Sequence, residues 1–182
     1  MDLGGGRHAD PIVVTISPLP DSLDRFFTMH AELATTPEGG AAALVTALLL
    51  YPEAPPLAES CLAATVDAGL LAPGNAGSQK RALAVRDLAL VRRQLAQNPY
   101  LGASYVQGTA PDTGYALPEP PWGILCTANP YSGDRDRGPY KLFVACSGAA
   151  SPRPVSVRRD PSGLWRPFEW SSLLVGIRAP TQ

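Results

Sequence analysis

The sequence lacks the long apolar segments of a membrane protein. Its longest apolar run, from Ala41 to Tyr51, is interrupted by Thr46 and stops at Pro52, well short of the roughly 18–20 residues that a spanning helix requires. Residues 1–11 include three consecutive glycines and no apolar signal core. We therefore predict a disordered leader over residues 1–11, and the missing export signal predicts a cytoplasmic protein.

Cysteine and histidine are also scarce. The three cysteines (Cys61, Cys126 and Cys146) lie at least twenty residues apart, and the two histidines are His8 and His30. A structural zinc site usually takes four such ligands in close pairs, so we predict no metal and no cofactor. The cysteines are interpreted as buried thiols, and His30, on the apolar stripe of the first predicted helix, as a packed core histidine.

The common active-site motifs are missing. Residues 133–138 have the GxxxxG spacing of a phosphate-binding loop, but Pro139 and Tyr140 stand where lysine and a hydroxyl residue are required. The same loop resembles a calcium site, yet Ala145 replaces the bidentate glutamate, so a solvated charged turn is the simpler interpretation. Neither GxSxG nor a helix-opening GxGxxG occurs. These absences weigh against an enzyme without excluding one.

The composition that remains is that of a folded domain. The chain has 182 residues, 45% of them hydrophobic, with 17 glycines and 20 prolines. That length fits one ordinary domain, which we place at residues 12–182. The glycine and proline content indicates ordered turns and long loops rather than a low-complexity chain.

Helical spacing dominates the first half of the chain. Apolar residues recur at this spacing in four predicted helices, at 23–34, 36–51, 57–66 and 82–97. Thr36, Pro37 and Glu38 form a strong start for the second helix, because they supply a capping hydroxyl, a helix-compatible proline and an acid at the dipole. That helix is apolar on nearly every side, which predicts a position in the middle of the core.

Alternation of period two dominates the second half. It predicts strands near 122–127, 140–147, 155–158 and 164–168, with short candidates at 12–16 and 104–107. Residues 170–177 fit either a strand or a short helix. The expected fold is therefore α+β: an N-terminal helical half of about four helices packed on a C-terminal antiparallel, curved β-sheet.

Charge is divided unevenly along the chain. Residues 1–78 carry a net charge of −7 and residues 79–182 a net charge of +6. Opposite charges on two surfaces favour head-to-tail association into rings or filaments. We therefore predict a non-enzymatic protein-interaction or self-assembly module, with a protein partner or a second copy of the chain as its ligand. The alternative is that the two halves neutralise each other within one monomer.

Two other functions stay open. A pocket between helices and sheet could bind a small molecule or support catalysis, with Tyr131, Ser147, Arg153 and Glu169 as candidate polar groups. The final hairpin could bind nucleic acid, because tryptophans accompany a basic cluster there, formed by Arg153, Arg158, Arg159 and Arg166. A pI near 6.1 argues against nucleic acid, and the tryptophans serve equally well as core anchors.

Several stretches carry a family resemblance. They are TPEG at 36–39, NPYL at 98–101 with the following Ser104-Tyr105 and Gly108-Thr109, NPYSGD at 129–134, KLFVACSG at 141–148, SPRP at 151–154, Trp165, and EWSSLLVGIR at 169–178. In these the chain resembles an uncharacterised bacterial family of similar length, a domain of unknown function. The resemblance implies a stand-alone small cytoplasmic protein, and it brings no known activity or catalytic residues.

Overall fold

The α+β prediction is confirmed by a computed structural model that describes residues 9–73 and 81–181. Residues 1–8 of the predicted leader lie outside the described residues, as do residues 74–78 of a predicted turn. The helices are α1 (Leu23–Leu33), α2 (Pro37–Leu50), α3 (Pro55–Thr65) and α4 (Val85–Gln97). The strands are β1 (Ile12–Ile16), β2 (Leu71–Pro73), β3 (Arg81–Leu83), β4 (Trp122–Thr127), β5 (Tyr140–Val144), β6 (Arg153–Arg159) and β7 (Trp165–Glu169).

Five of the strands form one antiparallel sheet in the order β1-β4-β5-β6-β7, and β2 and β3 form a separate hairpin. The first strand of the chain therefore joins the later strands of the sequence at one edge of the sheet, while β7 forms the other edge. Between β4 and β7 each strand pairs with the next one along the chain. That order agrees with the predicted hairpin of β6 and β7.

Helix α2 lies at the centre of the core, as its all-round apolar sequence predicts. Each of its fourteen residues is buried. It packs against α1 and α3 on one side and against β1, β5, β6 and β7 on the other. The start of α2 is fixed by Thr36, whose hydroxyl accepts a hydrogen bond from the Gly39 amide at 3.0 Å, and by Pro37 in the first turn.

Glycine allows α2 to approach β7 closely. A Cβ atom at Gly40 would lie 2.4 Å from the carbonyl oxygen of Trp165, a distance that real Cβ contacts do not reach. The Trp165 amide also donates to the carbonyl of Ala34 at 2.7 Å, just before α2. Backbone contact between the α1–α2 junction and β7 therefore ties the helical layer to this side of the sheet.

Three local predictions need correction. Residues 104–107 were predicted as a strand, but a 3₁₀ turn at Ala103–Tyr105 covers the first two of them. The turn is stabilised because the Ser104 hydroxyl donates to the Leu101 carbonyl at 2.6 Å. The fourth helix starts at Val85 rather than 82, since residues 81–83 pair with β2 instead. Residues 170–177, left open between strand and helix, contain the 3₁₀ helix Ser171–Leu174.

Candidate functional site

Two arginines of the predicted basic cluster, Arg159 and Arg166, line a surface cavity of about 410 Å³ between the end of α3 and the β6–β7 turn, and a third, Arg158, contacts Asp67 of the same lining. Arg158 pairs with Asp67 at 3.2 Å and lies over the Phe168 ring. Arg166 donates to Asp160 at 2.5 Å. Each of these guanidinium groups therefore already has a partner within the chain, which reduces the charge available to a polyanion.

The remaining arginine of this group, Arg159, donates to the backbone carbonyl of Asp136 at 3.3 Å. Beside it, burial alone would raise the pKa of Asp160, but hydrogen bonds from Ser162, Arg166 and the Leu164 amide outweigh this effect and lower that pKa to about 2. Asp160 is thus a stable carboxylate that organises the hairpin turn. The arrangement is that of a structural ion-pair network.

The other four predicted site residues do not share a pocket. Tyr131 is 92% exposed in the β4–β5 loop. Ser147 is exposed past the end of β5, with its Oγ 3.0 Å from the Thr109 hydroxyl. Arg153 donates to two carbonyl groups near the C-terminus, and Glu169 accepts a hydrogen bond from Ser156. The Ser147 hydroxyl also donates to the Ser104 backbone carbonyl at 3.1 Å, and neither this carbonyl nor the Thr109 hydroxyl can serve as its base.

The space between the helices and the sheet, where a ligand pocket was an open alternative, is occupied by the buried side chains of α2. Two other cavities lie at the surface instead. They have volumes of about 550 Å³ and 190 Å³ and share Asp87, Leu90 and Ser171 as lining residues. They form a groove between α4 and the 3₁₀ helix that follows β7.

Burial keeps two of the three thiols and the described histidine from acting as reactive groups. Burial raises the pKa of Cys61 and of Cys126 to about 12, so both stay protonated and unreactive at neutral pH. His30 is 2% exposed, which confirms its predicted core position. Cys146 corrects a prediction: it lies two residues past the end of β5 and is only partly buried, with Sγ 3.4 Å from the Ser104 hydroxyl.

Residues 9–73 and 81–181 contain no group of three or more His, Cys, Asp or Glu side chains arranged to hold a metal ion. Among the helices in these ranges, none combines the length and the apolarity needed to cross a membrane.

The strongest candidate for an interaction site is the outer edge of β1. Val14 is aligned with Ile124 of β4, and Thr15 with Gly123. The Gly123 carbonyl accepts a bond from the Gln107 amide, and the Leu125 carbonyl accepts one from the Ala145 amide. Both carbonyls therefore point away from β1, so the intervening Ile124 is the β4 residue that bonds to β1.

This alternation fixes the orientation of the β1 backbone. Because opposed residues of antiparallel strands alternate between hydrogen-bonded and non-bonded pairs, Val14 bonds to β4, whereas the N–H and C=O groups of Val13 and Thr15 point outward. None of the hydrogen bonds formed by the described residues reaches these four groups. The edge thus presents two donors and two acceptors in the arrangement that another strand requires.

The opposite edge of the sheet is covered by the chain itself. The outward amide of Trp165 in β7 donates to the Ala34 carbonyl, and the outward carbonyl of Pro167 accepts from the Asp67 amide at 2.8 Å. Pro167 has no amide hydrogen to leave unpaired. Of the two edges of the five-stranded sheet, only β1 is open in the part of the chain that the structure describes.

The side chains of β1 do not protect this edge. The strand, IVVTI, has no charged residue and no internal proline, although these are the usual devices that discourage edge pairing. Ile12 is 38% exposed and Val13 is 48% exposed. Polar backbone groups and apolar side chains are therefore available together, a combination suited to binding an extended segment.

Comparison with known families matches residues 18–181 to the model described as "Domain of unknown function (DUF6935)". The chain belongs to the DUF6935 family. No curated protein and no solved structure matches it. Strand β1 precedes the part of this DUF6935 member that the family model covers.

Ion pairs within this DUF6935 chain join its acidic and basic halves. Glu59 pairs with Arg92 at 2.8 Å, and Asp67 pairs with Arg158. A third pair joins the buried Glu38 to Arg135 of the β4–β5 loop. The charge division is therefore partly neutralised inside the monomer, and it is weaker support for head-to-tail association than the sequence alone suggests.

Sequence reasoning did not identify two parts of this arrangement. The loop at 134–138 was interpreted as a solvated turn, yet its Arg135 makes both guanidinium contacts with the Glu38 carboxylate. The signal in the sequence was Glu38, an acid at the start of a helix predicted to be buried, which requires a basic partner. The free edge was missed as well, because the strand order that places β1 outermost is not visible in the β1 sequence.

Proposed function

We propose that this DUF6935 member is a non-enzymatic, cytoplasmic protein-interaction module that binds an extended segment of its partner along the outer edge of β1. The observation that supports the proposal is the outward orientation of the Val13 and Thr15 backbone groups, inferred from the bonds of Gly123 and Leu125. An added strand satisfies such groups with main-chain hydrogen bonds, while the exposed side chains provide selectivity.

The edge is better suited to binding than the other candidate surfaces. The arginines of the last hairpin are engaged by Asp67, Asp160 and a backbone carbonyl. The groove along α4 is lined by both acidic and basic residues, and its charged groups Arg86, Asp87 and Arg93 are at least partly exposed to solvent. At β1, by contrast, the unpaired backbone N–H and C=O groups are spaced for hydrogen bonding to an extended chain, so they specify the kind of partner.

A peptide titration tests this function. The probe is a synthetic peptide with the sequence of residues 11–17, flanked by lysines for solubility, and the readout is the amide NMR spectrum of the full chain. The Val13 and Thr15 amides should shift and become protected from exchange as the peptide is added, because they donate to its backbone. The Val14 amide, which bonds to β4, should change much less.

Two substitutions at one position provide the matched control. Thr15→Pro removes an outward donor and leaves the bonds to β4 in place, because residue 15 does not donate to that strand. It should abolish peptide binding. Thr15→Val keeps the donor and a β-branched side chain, so it should bind like the unchanged protein. Equal binding by both variants, or no shift at β1 in the unchanged chain, would refute the proposal.

A further inference from the structure

Resting on the proposed function, we infer that the partner at this edge is a second copy of the same chain, with the two β1 strands antiparallel about a two-fold axis through Val14. The two five-stranded sheets then join into one. A two-fold arrangement uses the same surface patch on both subunits, so the inference requires β1 to be complementary to itself.

The hydrogen-bonding groups meet that requirement in one register. With the axis at Val14, Val13 lies opposite the partner's Thr15, and Thr15 lies opposite the partner's Val13. Each of these pairs exchanges two backbone bonds, because both residues point outward. All four free groups of each β1 are then satisfied. An axis at Val13 or at Thr15 would leave the other residue unpaired within the limits of β1, Ile12–Ile16.

The side chains fit the same register. On one face Val14 meets the partner's Val14, and the exposed Ile12 meets the partner's Ile16. On the other face Val13 meets the partner's Thr15, a β-branched cross-strand pair of the kind that stabilises sheets. The partial exposure of Ile12 and Val13 is thereby reduced on both chains.

The charges beside β1 also permit this pairing. The nearest charged residue, Asp10, falls opposite the partner's Pro18 in this register, so no like charges face each other across the axis. Pro11 and Pro18 bound the strand on its two sides and limit the length of any segment that can pair with it. A second β1 is bounded by the same two prolines, so its length matches that of the segment available for pairing.

Residues 1–8 are the competing occupant, because they directly precede the strand. That segment contains three glycines and no β-branched residue, a composition with poor strand propensity. If it paired with β1 in the same chain, the edge would be closed to a second copy. The experiment below separates the two cases, because only the dimer can form a bond between chains at Val14.

The contact is small. Five residues from each chain bury much less than the roughly 1,200 Å² typical of stable complexes, so the dimer should be weak and dependent on protein concentration. A covalent trap is therefore the appropriate readout. Directly opposed, non-hydrogen-bonded residues of antiparallel strands have Cα atoms about 4.5 Å apart, which lies within the range that a disulfide can bridge.

The trap is Val14→Cys, made in a full-length chain that also carries Cys146→Ser to remove the partly accessible thiol. Mild oxidation should double the mass of this protein on a non-reducing gel. The control is Ile12→Cys in the same background. It places a thiol on the same face of β1, but four residues away from its symmetry mate along the strand, so it should remain monomeric.

A second measurement does not depend on the cysteine variants folding. In sedimentation velocity the unchanged chain should shift toward a dimer as its concentration rises. Thr15→Pro should lose this shift, and Thr15→Val should keep it. A monomer at every concentration would overturn the inference.

The outcomes separate the inference from the proposed function. If the peptide binds at β1 but Val14→Cys stays monomeric under oxidation, the second copy is excluded and the interaction module stands. If Ile12→Cys cross-links as readily as Val14→Cys, the two-fold register is wrong. If neither peptide binding nor dimer formation occurs at β1, both proposals fail together.

Discussion

At the scale of single residues, His30 is a buried imidazole that resists protonation. Burial, with a smaller contribution from the Arg166 guanidinium, lowers its pKa from 6.5 to about 4, despite the opposing effect of Asp160. The unfolded chain therefore binds a proton more readily than the folded protein does between these two values. Stability that is fully present above pH 6.5 is lost as the pH falls through about 4.

The full loss at His30 is about 3 kcal/mol in the free energy of unfolding. Denaturant unfolding at pH 7, 6 and 5 should show a decrease that His30→Leu largely removes. Asp160, whose pKa is lowered to about 2, contributes only below its usual value of 3.8 and so does not interfere. An unchanged pH dependence in His30→Leu would contradict this assignment.

The Arg135 side chain compensates the buried charge of Glu38, and the stability of the protein depends on that compensation. Glu38 is 3% exposed, and the Arg135 guanidinium contacts both of its carboxylate oxygens. Removing one partner of such a pair leaves a buried charge uncompensated. Arg135→Ala should lower the free energy of unfolding by about 3 kcal/mol. Thermal or denaturant unfolding measures the loss.

The control for that substitution is Arg137→Ala in the same loop. Arg137 is exposed, and its backbone amide rather than its side chain bonds to Asp134. Its removal should change stability by no more than about 0.5 kcal/mol, as at an ordinary surface position. Equal losses in the two variants would show that the loop, rather than the buried carboxylate, is responsible.

At the scale of elements, the contact of α2 with β7 depends on Gly40. A methyl group there would meet the backbone of Trp165 at 2.4 Å, and backbone cannot move aside as a flexible side chain does. Although alanine has the higher helix propensity, Gly40→Ala should destabilise the protein by about 1–3 kcal/mol through overpacking. A rise in the melting temperature would contradict the close approach.

Most elements could be predicted from the sequence because each depends on its own residues. The apolar circumference of α2 and the alternation in β4 and β5 are local patterns, and both are confirmed. The segment at 104–107 failed because four residues cannot show a period clearly, and the Ser104 hydroxyl stabilises a turn instead. Strand β3 was predicted as the start of α4 for the same reason, because its three residues are too few to show a period.

The candidate site was predictable only in part, because it depends on strand order. A strand at 12–16 follows from its β-branched residues, but its position outside β4 follows from long-range pairing. The predicted binding residues were chosen by side-chain chemistry. Tyr131, Ser147, Arg153 and Glu169 proved to lie in separate places, whereas the groups that matter at β1 are backbone groups, which every sequence possesses.

At the scale of the whole molecule, salt distinguishes two modes of self-association. Pairing of β1 strands uses backbone bonds and uncharged side chains, so raising the ionic strength should leave the dimer fraction essentially unchanged. Association through oppositely charged surfaces would weaken, because salt screens exposed charges. Sedimentation of the unchanged chain at low and high salt measures the difference, and dissociation at high salt would favour the charge-driven mode.

The most direct measurement is residue-resolved amide hydrogen exchange along β1 in dilute full-length protein, where the weak dimer is dissociated. The Ile12, Val14 and Ile16 amides, which face β4, should be protected, and the Val13 and Thr15 amides should exchange at rates close to those of an unstructured peptide. Protection of Val13 and Thr15 under dilute conditions would show that the edge is already covered, and would contradict a free binding strand.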